Sequence, residues 1–168
     1  DTITGGAGDD ELTGGADDDA FEVDAGTDII SDFGDGADTV TIAQGANLVA
    51  NVIADYTAAN AGDIDNAGAN TVTDVEFEVA DGVNFDASAA IDTTNGITIS
   101  AVGNNAASTL TGTNKADAID GGGGADILDG DAGNDTVTGG AGDDTITGGA
   151  GDDELTGGAD DDAFEVDA

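Results

Sequence analysis

From Gly103 onward the chain falls into units of nine: GNNAASTLT, GTNKADAID, GGGGADILD, GDAGNDTVT, GGAGDDTIT, GGAGDDELT and GGADDDAFE. The pattern is G-G-x-G-x-D-x-U-x, with U a large apolar residue. Position six holds Asp117, Asp126, Asp135, Asp144, Asp153 and Asp162, and Ser108 breaks the first unit. Position eight holds Leu110, Ile119, Leu128, Val137, Ile146, Leu155 and Phe164. Glycine at positions one, two and four admits backbone with φ > 0 and lets carbonyls turn inward. The x-U-x end reads as a three-residue strand whose middle side chain points in. Two nines make one turn. Stacked turns place equivalent residues about 4.8 Å apart, and an aspartate column at that spacing demands cations between the side chains.

The charge agrees with that demand. Thirty-eight acidic residues face one basic residue, Lys115, for a net charge of −37. Charge and glycine content alone describe a disordered chain, but here the acids recur at fixed positions and a periodic apolar residue accompanies them. A linker needs no such residue. One lysine cannot neutralise a phosphate backbone, so no nucleic-acid partner is expected. No apolar stretch is long enough to insert in a membrane as a helix. Absence of cysteine excludes disulfides.

The tandem nines resemble the calcium-binding repeat of RTX proteins. The resemblance implies an all-β fold, a right-handed parallel β-roll. It implies Ca2+ ions, several per repeat unit, between loops of units n and n+2. Their ligands would be both position-six Asp, carbonyls of positions two and four from the first loop, and carbonyls of positions one and three from the second. Carried over, Asp126 and Asp144 share an ion with carbonyls of Gly122, Gly124, Gly139 and Ala141. Asp135 pairs with Asp153, with Gly133, Gly148 and Ala150 among its carbonyls. Asp144 pairs with Asp162, with Gly140, Gly142, Gly157 and Ala159. Asp117 pairs with Asp135, where Thr113 and Lys115 replace glycine at the carbonyl positions. Residues 20–42, AFEVDAGTDIISDFGDGADTVTI, resemble the segment that ends many RTX blocks. Asp10 then pairs with Asp28, and Asp19 with Asp38 if one residue is inserted. The extra acids at position five, Asp143, Asp152 and Asp161, read as a solvated face without a ligand role.

A longer repetition encloses the short one. Asp1 to Ala25 and Asp144 to Ala168 are identical, an offset of 143 residues. The expectation is a slice of a longer polymer with a 143-residue unit. Residues 1–31 would end one roll, 32–102 would be a small β-rich module or an irregular continuation of the solenoid, and 103–168 would be the next roll. Within 32–102, Val75, Phe77 and Val79 alternate with Glu76 and Glu78, as a half-buried strand does. Val83 and Phe85 follow an Asp81-Gly82 turn, and Ile97, Ile99 and Ala101 follow Asn95-Gly96. Leu48, Val49, Val52, Ile53 and Tyr56 fit a helical face, while their β-branched members favour strand. Residues 57–70 read as a loop.

No His, Cys or Arg is present, so the usual general bases, thiol nucleophiles and phosphate clamps are missing. The paired carboxylates belong to a repeat, which a metal-ligand role explains better than glycosidase chemistry. The chain is therefore expected not to be an enzyme. The expected function is a calcium-stabilised structural repeat of a long secreted or cell-surface bacterial protein forming a fibre, matrix or surface layer. It would be exported by type I secretion and partnered by neighbouring copies of the unit. Two alternatives stand beside it: an extender of a giant RTX adhesin, with an ice, glycan or other surface ligand, and the secretion and folding domain of an RTX enzyme.

Overall fold

A computed structural model describes residues 1–34, 36–43, 46–54, 56–57, 64–65, 75–89 and 96–165. Among the described residues eighteen strands follow one another, with no helix. They are β1 (Thr2–Thr4), β2 (Glu11–Leu12), β3 (Ala20–Val23), β4 (Thr27–Phe33), β5 (Thr39–Ile42) and β6 (Asn47–Val52). Next come β7 (Tyr56–Thr57), β8 (Ile64–Asp65), β9 (Val75–Val79), β10 (Phe85–Asp86), β11 (Thr98–Ser100) and β12 (Thr109–Thr111). The last are β13 (Ala118–Asp120), β14 (Ile127–Asp129), β15 (Thr136–Ala141), β16 (Thr145–Thr147), β17 (Glu154–Ala159) and β18 (Ala163–Glu165).

Successive strands alternate between faces, except that β7 and β8 both lie opposite the long sheet, and each pairs in parallel with a strand one turn away. One sheet of eight strands runs β17-β15-β13-β11-β9-β6-β4-β2. The opposite face carries β18-β16-β14-β12-β10-β7 and β1-β3-β5-β8. This is the parallel β-solenoid that the resemblance to the RTX repeat implies. The strands within 32–102 pair in these same sheets, and residues 47–52 are strand rather than helix. Of the loop expected at 57–70, only 57, 64 and 65 lie among the described residues; Asn95 of the Asn95-Gly96 turn lies outside them.

Position eight builds the core. Leu12, Ile30, Ala50, Phe77, Ile99, Ile119, Val137 and Leu155 stand in one register column of the long sheet. Leu110, Leu128 and Ile146 stand in the facing one, and all three are fully buried. In the middle turns the filling becomes aromatic. Phe33 lies 4.9 Å from Tyr56 and 5.5 Å from Phe77, ring centre to ring centre, and Phe77 lies 4.8 Å from Phe85. The turns also lengthen there. Hydrogen-bonded partners eighteen residues apart in the tandem nines become twenty apart at Ile97 and Asp117 and twenty-five apart at Asn84 and Thr109.

Candidate metal centre

Each position-six aspartate precedes a strand, except Asp28, which lies within β4, and the parallel register stacks it on its equivalent one turn away. The link between them is a charge-assisted hydrogen bond. Asp126 N–H donates to Asp144 Oδ1 at 2.9 Å, Asp117 N–H to Asp135 Oδ1 at 2.8 Å, and Asp135 N–H to Asp153 Oδ1 at 2.9 Å. Asp144 N–H reaches Asp162 Oδ1 at 3.2 Å. In the first roll Asp10 N–H reaches Asp28 Oδ1, and Asp19 N–H reaches Asp38 Oδ1, both at 3.1 Å. The second of these spans nineteen residues, so the inserted residue is accommodated. All six predicted pairs are brought together.

The other carboxylate oxygen tells what is missing from a protein-only account. Oδ2 of Asp10, Asp19, Asp28, Asp126, Asp135 and Asp144 is buried and has no hydrogen-bond partner. Burying an unpaired anion costs far more than burying an unpaired neutral polar group. Burial pushes the carboxyls of Asp126 and Asp144 above the ordinary range, aided by their stacked neighbours Asp144 and Asp162 respectively. Asp135 is pushed up to about 7, first by burial, then by the charges of Asp117, Asp153 and Asp131 against the favourable Asp117 amide.

The position-one glycines complete the cradle. A Cβ on Gly121 would stand 2.8 Å from Asp126 Oδ2 and 2.7 Å from the Gly139 carbonyl. On Gly130 it would stand 2.5 Å from both Asp135 Oδ2 and the Gly148 carbonyl. On Gly139 it would meet Asp144 Oδ2, and the Gly157 carbonyl at 2.6 Å. The predicted carbonyls of Gly139, Gly148 and Gly157 therefore converge with unpartnered carboxylate oxygens. Gly122, Ala141, Ala150 and Ala159 sit in the stacked loops, where each carbonyl already accepts one backbone N–H: Gly122 from Ala141, Ala141 from Gly124, Ala150 from Gly133 and Ala159 from Gly142. Each oxygen keeps a second lone pair. The carbonyls of Gly124, Gly133 and Gly140 face the α-carbons of Gly142, Gly151 and Gly158 one turn on. Among the described residues no three acidic side chains form a metal cluster; the donor set is carboxylate pairs with backbone oxygens. Hard oxygen donors in a flexible shell fit Ca2+.

Three features escape the sequence pattern. Position-five side chains have a role: Asp143 Oδ1 accepts Asp161 N–H at 3.1 Å, Asn134 accepts Asp152 N–H at 3.0 Å, and Asp9 accepts Thr27 N–H at 2.9 Å. Their signal is the recurrence of Asp or Asn at that position. Next, some carboxylates are closed by the chain itself. Asp38 Oδ2 accepts Gly34 N–H at 2.8 Å, and Asp117 Oδ2 accepts Thr113 N–H at 2.6 Å. Burial nevertheless leads the upward shift of both carboxyls, that of Asp117 to about 6. Finally, the position-six column of the long sheet reads Asp10, Asp28, Leu48, Val75, Ile97, Asp117, Asp135, Asp153. Its three middle members are apolar and buried.

The family model for the RTX calcium-binding nonapeptide repeat, in four copies, matches residues 1–30, 102–137 and 129–164, more than half of the chain. No curated protein and no solved structure matches it.

Proposed function

We propose, for a chain that belongs to the RTX calcium-binding nonapeptide repeat family, that it is a calcium-folded structural segment of a long extracellular protein. Repeats of this family bind Ca2+, and the proteins that carry them are bacterial and typically secreted. The observation that carries the reading is the set of buried, unpartnered Oδ2 atoms along the two aspartate columns. Asp10, Asp19, Asp28, Asp126, Asp135, Asp144, Asp153 and Asp162 would hold the ions, which supply the positive charge that lets the carboxylates stack. Binding energy then becomes folding energy. Extracellular calcium modules bind at roughly 10⁻⁴–10⁻³ M. A chain exported unfolded by type I secretion would therefore fold on reaching millimolar calcium.

The structural role rests on the architecture and the long repetition. Parallel turns extend along one axis, and each mainly contacts its neighbours, so length is tolerated. The two identical 25-residue segments adopt one register: Thr2 pairs with Ala20 as Thr145 pairs with Ala163. Neighbouring units are the proposed partners, in a fibre, matrix or surface layer, and the role is not catalytic. An exposed flat ladder of Thr or Asn would favour an ice-binding or glycan-binding adhesin face. The outward position-nine columns read Ser100, Asp120, Thr138, Thr156 and Thr111, Asp129, Thr147, Glu165, broken by acids, which favours the structural reading.

Circular dichroism during a calcium titration tests it. A rise in β signal reversed by EGTA is expected; a spectrum indifferent to chelation would sink the reading. Electron microscopy of the full-length protein then distinguishes fibres from isolated arms.

A further inference from the structure

The two position-six columns end differently where the apolar middle begins. One ends at Asp117, whose oxygens are occupied by the chain's own donors. Oδ1 takes Ile97 N–H at 2.7 Å and the Thr113 hydroxyl at 3.1 Å. Oδ2 takes Thr113 N–H at 2.6 Å and the same hydroxyl at 2.9 Å. The other column runs past Asp126 to Ser108. Ser108 N–H donates to Asp126 Oδ1 at 2.8 Å, the bond that joins every aspartate pair. Ser108 is only 3% exposed, and its Oγ has no hydrogen-bond partner. A buried hydroxyl ordinarily finds one. Backbone oxygens of the Ser108 loop face the Asp126 loop: the Asn104 carbonyl lies 2.8 Å, and the Ala106 carbonyl 2.7 Å, from where Cβ atoms on Gly123 and Gly124 would be. In the next turn the Gly124 carbonyl faces Gly142 in the same way.

We propose that Ser108 caps this column as a ligand: one further Ca2+ binds between the Ser108 and Asp126 loops, with Ser108 Oγ standing where an aspartate stands elsewhere. The Asp117 column has no counterpart, because Thr113 has taken that place. With one carboxylate instead of two, the Ser108 site is the weakest of its column. This rests on the calcium reading above.

Native mass spectrometry of the full chain with Ca2+ as the sole added metal counts the ions, and a titration followed by calorimetry gives their affinities. Ser108→Ala should carry one ion fewer than the wild type at saturation. Ser108→Asp should keep the wild-type count and bind its last ion about tenfold more tightly, since ligand charge sets affinity in such sites. Wild-type counts and affinities in both variants would overturn the proposal. Should Ser108→Ala fail to fold in calcium, an unchanged last affinity in Ser108→Asp overturns it alone. A wild-type chain that takes up no calcium overturns the calcium reading itself.

Discussion

A position-six carboxylate has two oxygens in unlike surroundings. In Asp135, Oδ1 is tied to the Asp117 amide of the neighbouring turn, and Oδ2 is buried without a partner. Without a cation, a proton is the cheapest remedy. Asp135 titrates at about 7 and Asp117 at about 6 in the folded chain, against about 3.9 for an unfolded aspartate. The folded state therefore holds more protons between these values, and its stability falls as pH rises through that window. The calcium-free chain should show more β structure by circular dichroism at about pH 5.5 than at about pH 7.5. Asp135→Asn should abolish much of that difference. It should also stabilise the calcium-free chain at neutral pH yet weaken the calcium-loaded one, because it removes a buried charge that only the ion compensates. One sign of effect in both conditions would refute this account of Oδ2.

At the scale of the nine-residue element, two side chains stitch turns together in opposite directions. Position five accepts an amide from the following turn, and position six accepts one from the preceding turn. From Gly112 to Gly157, position one is glycine for want of space rather than for its φ, whereas Gly103 takes φ of 89° in open space. Gly139→Ala would press a methyl between Asp144 Oδ2 and the Gly157 carbonyl. It should cost about 1–3 kcal/mol, seen in chemical unfolding with calcium, and should reduce the number of bound ions by one. Full retention of both would mean that the cradle lies elsewhere. Positions four and two show the contrast: Asp17 and Asp160 take φ of 84° and 81° where the pattern has glycine, and Asp131 takes 69°. Much of this element was legible beforehand. Leu128 in the core follows from the period, while Asp126 facing Asp144 and the slipped Asp19–Asp38 pair came with the resemblance to the RTX repeat. The position-five bonds were not, because an acid bonded to an amide and an acid in water look alike in sequence. Nor was the column through Leu48, Val75 and Ile97, because turns lengthened by variable loops hide the frame.

Across the whole molecule, that column divides the solenoid by what holds it. In the tandem nines the interior is narrow, filled by single aliphatic residues, and the loops carry buried carboxylates that need cations. Through the middle turns Leu48, Val75 and Ile97 occupy the same register positions and are buried. Five of the six aromatic residues gather there, from Phe21 to Phe85. Asp38 and Asp117, at its two borders, are closed by amides of Gly34 and Thr113. The middle should thus keep its structure when calcium is removed, and the nines should lose theirs. Hydrogen exchange in EGTA should leave β9, β10 and β11 protected while β13 to β18 exchange freely; in calcium all should be protected. Phe77→Ala, which empties the centre of the cluster, should cost about 3–5 kcal/mol and strip that residual protection in EGTA. Uniform exchange along the chain in EGTA, with or without the substitution, would show instead that the solenoid folds as one calcium-dependent unit and that the apolar column confers no independence.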